Sequence, residues 1–95
     1  MSHPPIRAKR RDVNEKEIID GLKAASCSVL QLDVVDLLVG RAGANFILEV
    51  KNPDQPPSKR RLTESEDAFI RSWRGRPVVV VETLEEALKA VGAIR

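Results

Sequence analysis

The strongest constraint on the fold is a pair of apolar segments joined by a short link that contains two glycines. The segments are residues 34–39 and 45–51, and the link is residues 40–44. Glycine is favoured in tight turns between strands, so this pattern predicts a β-hairpin. If Ala42 and Gly43 form the turn, the residue numbers of any two opposed residues add up to the same total. By this rule Asp36 lies opposite Glu49.

Three charged side chains interrupt this apolar hairpin, namely Asp36, Glu49 and Lys51. Glu49 and Lys51 point to the same side, because successive strand side chains alternate between faces. Opposed residues have Cβ atoms about 5 Å apart, and two carboxylates at that distance repel unless a cation lies between them. The spacing therefore predicts a divalent metal site, and its hard oxygen ligands select Mg²⁺ or Mn²⁺. The alternative is a solvated ladder of salt bridges, but apolar residues on both faces of the hairpin argue against it.

The rest of the chain indicates an α/β fold. Three residue pairs have the spacing of a capping box and mark helix starts: Asn14 with Glu17, Thr63 with Glu66, and Thr83 with Glu86. Residues 28–33 alternate as a strand does, and residues 78–81 are apolar throughout, as in a central strand that helices bury on both faces. The predicted order is α-β-β-β-α-β-α, with a central mixed sheet flanked by helices.

Length and composition limit the architecture to one small core. The chain has 95 residues, of which 42% are hydrophobic and 32% charged. Residues 1–11, rich in proline and arginine, are expected to be a flexible basic arm, and residues 12–95 a single domain. No secretory signal or membrane-length apolar run is visible, and a single cysteine fits a reducing compartment, so we expect a cytoplasmic protein.

Basic residues cluster although the net charge is only +2. The clusters are residues 7–11, residues 59–61, and Arg71 with Arg74 and Arg76. Such patches favour a polyanionic partner, although for any one cluster taken alone a solvated face is the favoured explanation. Tyrosine is absent and aromatic residues make up 3%. We therefore expect DNA to be held by its phosphates rather than by base stacking, and Phe69 and Trp73 to lie in the core.

Together these residues resemble the PD-(D/E)xK nuclease motif, formed here by Asp36 and the run Glu49-Val50-Lys51, on a similar order of helices and strands. The chain is more similar still to the small stand-alone VRR-NUC (virus-type replication-repair nuclease) domains, many of them from phages. The stretches that carry this resemblance are residues 14–19, 36–40, 48–51, 56–58 and 62–63. Val35 stands where the family usually has a proline, which leaves Asp33 as a rival ligand.

The resemblance implies a restriction-endonuclease-like αβββαβ(α) core and a role for each matching residue. Asp36, Glu49 and the carbonyl group of Val50 would bind Mg²⁺ or Mn²⁺, and Lys51 would contact the attacking water or the scissile phosphate. Glu17 would be an additional metal-linked acid, although its capping position explains it without any function. DNA phosphates would be held by Lys9, Arg10, Arg11, Ser58, Lys59, Arg60 and Arg61.

The expected function is that of a metal-dependent DNA endonuclease, selective for branched DNA in the manner of Holliday-junction resolvases. A homodimer is expected, because two-fold symmetric substrates are matched by two-fold symmetric proteins. One alternative is a catalytically inactive module of the same fold that binds nucleic acid or assembles with partners. Another is a small interaction protein with a surface charge ladder.

Overall fold

Residues 13–95 are described by a computed structural model, in which three α-helices flank a four-stranded mixed sheet. The elements are α1 (Val13–Ala24), β1 (Ser28–Gln31), β2 (Leu37–Arg41), β3 (Ala44–Val50), a 3₁₀ turn (Pro57–Lys59), α2 (Glu64–Ser72), β4 (Val79–Val81) and α3 (Leu84–Ala90). The predicted α/β class and the order of helices and strands are confirmed. The predicted basic arm, with Lys9, Arg10 and Arg11, lies outside the described residues.

The sheet has the order β1-β2-β3-β4, with two antiparallel pairs and a parallel pair between β3 and β4. The predicted hairpin register is confirmed, since Leu38 pairs with Ile47. Ala42 and Gly43 form the turn with φ values of 52° and 81°, the left-handed conformation of a type I′ hairpin turn. The pairing stops at Leu37 and Leu48, so Asp36 precedes β2 and does not pair with Glu49.

The prediction that residues 78–81 form a central, fully covered strand is wrong. β4 contains three residues and lies at the edge of the sheet, paired only with β3. The apolar run has the propensity of a strand but is not covered, because only Val81 is buried, and Val79 and Val80 are 37% and 44% exposed.

α1 and α3 pack together on one face of the sheet. The core between them and the strands contains Ile18, Leu22, Leu37, Val39, Leu48, Val50, Val81, Ala87 and Val91. Gly21 permits the close approach of the two helices, because a Cβ atom there would collide with the side chain of Leu84. Within residues 13–95, no helix has both the length and the apolar character needed to cross a bilayer.

The helix starts differ in how their backbone groups are satisfied. Thr63 and Glu66 form the predicted capping box of α2, and Thr83 accepts the amide hydrogen of Glu86 at the start of α3. The predicted cap at Asn14 is wrong, since Asn14 lies within α1. Its side-chain amide donates instead to the carbonyl oxygens of Lys51 and Glu82, each at 3.0 Å. Asn14 thereby ties α1 to the carboxyl ends of β3 and β4.

Candidate metal and phosphate site

Asp36, Glu49 and Lys51 come together at one end of the sheet, where β2 begins and β3 ends. The exposed fractions of the three residues are 3%, 1% and 8%, so their charged groups lie almost entirely away from water. Asp36 Oδ2 accepts a hydrogen bond of 2.7 Å from the backbone N–H of Val50. Lys51 Nζ lies 3.3 Å from Glu49 Oε2. The residues of the predicted motif therefore form a buried, hydrogen-bonded cluster and not a solvated ladder.

Glu66 of α2 is a member of this cluster that sequence reasoning missed. Its Oε1 atom accepts hydrogen bonds from Lys51 Nζ at 2.8 Å and from the backbone N–H of Thr63 at 2.9 Å. The capping box holds the Glu66 side chain in place at the start of α2, and there it also contacts the lysine. In the sequence, the capping-box spacing is a sufficient explanation for Glu66. No sequence pattern indicated that Glu66 also contacts Lys51.

The charge states of Lys51 and Glu66 follow from these contacts. Burial lowers the pKa of Lys51, but the hydrogen bond and charge of Glu66, together with Glu49, outweigh this effect and raise the pKa above its ordinary value. Burial likewise raises the pKa of Glu66, but hydrogen bonds from Lys51 and from the Thr63 amide, and one with Glu49, lower it to about 2. At neutral pH, Lys51 is therefore a cation and not a general base.

The acid that α1 buries is Glu15 and not Glu17. Glu17 is exposed, so the structure does not bring it to the cluster. Glu15 is 2% exposed and accepts a long hydrogen bond of 3.5 Å from Gln31, the residue that pairs with the first residue of β2. Glu15 therefore lies at the end of the sheet where β2 begins. Helical spacing could have identified it, since Glu15 lies on the same face as Ile18 and Leu22.

The balance of buried charge in residues 13–95 is strongly negative. Four carboxylates and a single ammonium group are buried: Glu15, Asp36, Glu49, Glu66 and Lys51. Carboxylate oxygens are the hard ligands that divalent cations such as Mg²⁺ and Mn²⁺ prefer.

The available ligands fit a magnesium-like ion that keeps part of its water. In the described part of the chain, no three Asp, Glu, His or Cys side chains are arranged to enclose a metal ion on their own. Mg²⁺ commonly binds through one or two carboxylates and retains several water molecules. Asp36 and Glu49 can supply those carboxylates, and Val50 can supply its carbonyl oxygen.

The predicted DNA-binding residues in the described chain lie in the segment that follows the cluster. Ser58 and Lys59 are exposed in the 3₁₀ turn, and Arg61 is exposed just after it. Arg60 is half-buried and lies 3.5 Å from Glu82, so it ties this segment to the residues before α3. Asp33, the rival ligand, is exposed and lies in the loop before β2.

We compared the chain with protein-family models, with curated proteins and with solved structures, and none of the three comparisons returned a match.

Proposed function

We propose that the protein is a metal-dependent nuclease that hydrolyses DNA phosphodiester bonds. The observation that carries this proposal is the buried cluster in which Lys51 Nζ lies 3.3 Å from Glu49 and 2.8 Å from Glu66, while Asp36 is held by the Val50 amide at the same end of the sheet. Buried ionisable groups that converge in this way are typical of functional sites. Their residue types suit a site that binds a cation and a phosphate group.

Asp36, Glu49 and the Val50 carbonyl would hold a divalent ion, which would supply a water molecule of lowered pKa and a positive charge for the phosphate. Lys51 keeps its proton, so it acts by donating hydrogen bonds to the phosphate or to the attacking water. The Val50 amide holds Asp36, so the carboxylate is oriented before the substrate arrives. A charge positioned in this way typically contributes on the order of 10²-fold or more to the rate.

Exposed cations beside the cluster support a polyanionic substrate. Lys59 and Arg61 follow β3 by a short loop and are open to solvent. Contacts of this kind bind phosphates without reading sequence, and they weaken as salt is added. A branched DNA substrate and a homodimer belong to the same proposal.

Cleavage assays test the proposal directly. Wild-type protein should cut DNA from a panel of branched, flapped and linear molecules only when Mg²⁺ or Mn²⁺ is present. Glu49→Gln keeps the shape of the side chain and should lower the cutting rate by about 10²-fold or more, as should Lys51→Ala. Lys89→Ala is the matched control, because Lys89 is exposed on α3 and forms an ion pair with Glu85 of the same helix. Undiminished cutting by Glu49→Gln would refute the mechanism.

Calorimetric titration with Mn²⁺ separates the nuclease from the two alternatives. Saturable heat that disappears in Glu49→Gln supports the metal site. DNA binding without metal binding or cutting would instead identify an inactive nucleic-acid-binding module. Absence of both metal and DNA binding would leave an interaction protein.

A further inference from the structure

The sheet face opposite α1 and α3 carries an apolar groove of about 580 Å³. Leu38 and Ile47 form its floor, while Phe69 of α2 and Trp73 form a wall. The sequence predicted both aromatic side chains in the core, and for Trp73 this is wrong, since it is 45% exposed. A groove of this volume is within the range of pockets that hold small organic ligands.

The two aromatic rings are held in fixed positions. Phe69 and Trp73 are stacked, with centroids 5.2 Å apart and planes inclined by 14°. Gly75 passes so close that a Cβ atom there would lie 2.8 Å from Trp73 Nε1. The indole is therefore held between a ring and the backbone while much of its surface remains accessible. A rigid, flat and apolar surface of this kind is suited to stacking against a planar ring.

Three arginines lie in or next to the groove lining, although Asp33 also lines it and Arg71 pairs with Asp67 at 3.1 Å. Arg76 lines the groove, with its guanidinium group 4.6 Å above the ring of Phe46. Arg71 and Arg74 are exposed on either side of Trp73 in the sequence. Asn45 adds an amide group to the lining, which can donate to and accept from the edge of a base. Apolar walls with arginines around them complement a nucleotide, which joins a flat base to a phosphate.

The groove adjoins the candidate metal site. Its floor residue Ile47 lies two positions before Glu49 on β3, so the two side chains point to the same face, and Val35 of the lining directly precedes Asp36. Two strand residues span about 7 Å. Successive phosphates of a stacked DNA strand are about 3.4 Å apart along the helix axis, and unstacking a base moves its neighbouring phosphates further apart. A base in the groove would therefore belong to a nucleotide within one or two of the phosphate at the metal site.

We propose, on the premise of the nuclease function above, that this groove binds an unstacked nucleobase next to the scissile phosphate. Bases in a continuous duplex are stacked and paired, and extracting one is costly. The groove would therefore make the enzyme select flaps, ends and single-stranded segments over uninterrupted duplex. Recognition of an unstacked base goes beyond the phosphate contacts expected from the sequence.

Trp73 is the only tryptophan of the chain, and there is no tyrosine, so its fluorescence reports on the groove alone. We would titrate wild-type protein with a short oligothymidylate in EDTA, so that no metal-dependent cutting occurs. We expect saturable quenching by the single strand and about tenfold weaker binding of a blunt duplex of the same length. Equal responses to the two DNAs, or no change in Trp73 fluorescence, would overturn the proposal.

Variants test base binding in the groove, with the fluorescence anisotropy of a labelled single strand as the measure of DNA binding. Trp73→Ala should weaken binding about tenfold, and Trp73→Phe, which keeps an aromatic ring, should bind nearly as wild type does. Leu30→Ala is the control, since Leu30 is an exposed apolar residue on β1 outside the groove lining, and it should not change binding. Equal losses in Trp73→Ala and Leu30→Ala would count against a base-binding groove.

The groove could instead be covered by a second copy of the chain, and sedimentation without DNA detects this outcome. A dimer that Trp73→Ala dissociates would assign the groove to the subunit interface and refute base binding. All these measurements omit metal and cutting, so they fail or succeed separately from the nuclease proposal. A protein that cuts no DNA but still binds single strands through Trp73 would refute the nuclease function and leave base binding supported.

Discussion

Replacing Glu66 by alanine should destabilise the fold more than any other change at the start of α2. The substitution removes the side chain that caps the helix at Thr63, which costs about 1 kcal/mol. It also removes the hydrogen bond of 2.8 Å to the buried ammonium group of Lys51. Hydrogen bonds to charged groups contribute about 2 kcal/mol each. The expected loss in the free energy of unfolding is therefore about 3 kcal/mol, a large part of the stability of a small domain.

Urea unfolding followed by circular dichroism measures this loss, and two further variants divide it. Glu66→Gln keeps an oxygen that can accept from the Thr63 amide and from Lys51, so it should lose only about 1 kcal/mol. Glu64→Ala removes an exposed acid from the same turn and should change the stability by about 0.5 kcal/mol or less. The reasoning fails if Glu66→Ala is no more destabilising than Glu64→Ala.

The free energy of unfolding measured at decreasing pH gives an independent test of the contact between Glu66 and Lys51. Despite burial, which acts in the opposite direction, hydrogen bonds from Lys51 and Thr63 lower the pKa of Glu66 from 4.5 to about 2 in the folded protein. A carboxyl group whose folded pKa is lowered stabilises the fold above its unfolded pKa and loses this contribution as the pH falls towards the folded value. Wild-type protein should therefore lose more stability than Glu66→Gln between pH 4.5 and about pH 2. Parallel acid curves for the two proteins would refute the ion pair.

Three further substitutions test how the elements are joined. Asn14→Ala should cost about 2 kcal/mol in urea unfolding, because two partly buried carbonyl groups lose their donor; a loss below about 0.5 kcal/mol would show that the contacts are not formed. Gly21→Ala should lower the melting temperature, because overpacking against Leu84 costs about 1–3 kcal/mol and outweighs the gain in helix propensity; a rise would contradict the close helix contact. Ala42→Asn should stabilise the fold by about 0.5–1 kcal/mol and so raise the melting temperature, since Asn tolerates the left-handed turn conformation better than Ala. An unchanged melting temperature would argue against that turn conformation.

Local patterns predicted much of the fold because they express interactions between residues close in the chain. Ala42 and Gly43 set the register of the hairpin, and the capping box at Thr63 marks the start of α2. Side-chain alternation placed Glu49 on the same side as Lys51, which agrees with their contact of 3.3 Å. Each of these features depends on turn geometry, side-chain alternation or a hydrogen bond across three residues.

Other features could not be read from local patterns. The four valines at positions 78–81 have the composition of a central strand, yet β4 lies at an edge because no further strand pairs with it. Asn14 has the spacing of a cap, but its amide group finds two carbonyls from distant parts of the chain. Trp73 has the spacing of a core residue, but α2 leaves part of the neighbouring sheet face uncovered.

The amino-acid sequence by itself determined the order of the elements, the hairpin and the acidic and basic residues at its open end. Only the tertiary structure decided which carboxylates are buried, since Glu66 reaches Lys51 from α2, while Glu15 is buried on α1 in place of Glu17. It also decided that Trp73 remains exposed beside Phe69. The physical reason is that burial depends on which surfaces pack together, and residues far apart in the chain supply those surfaces.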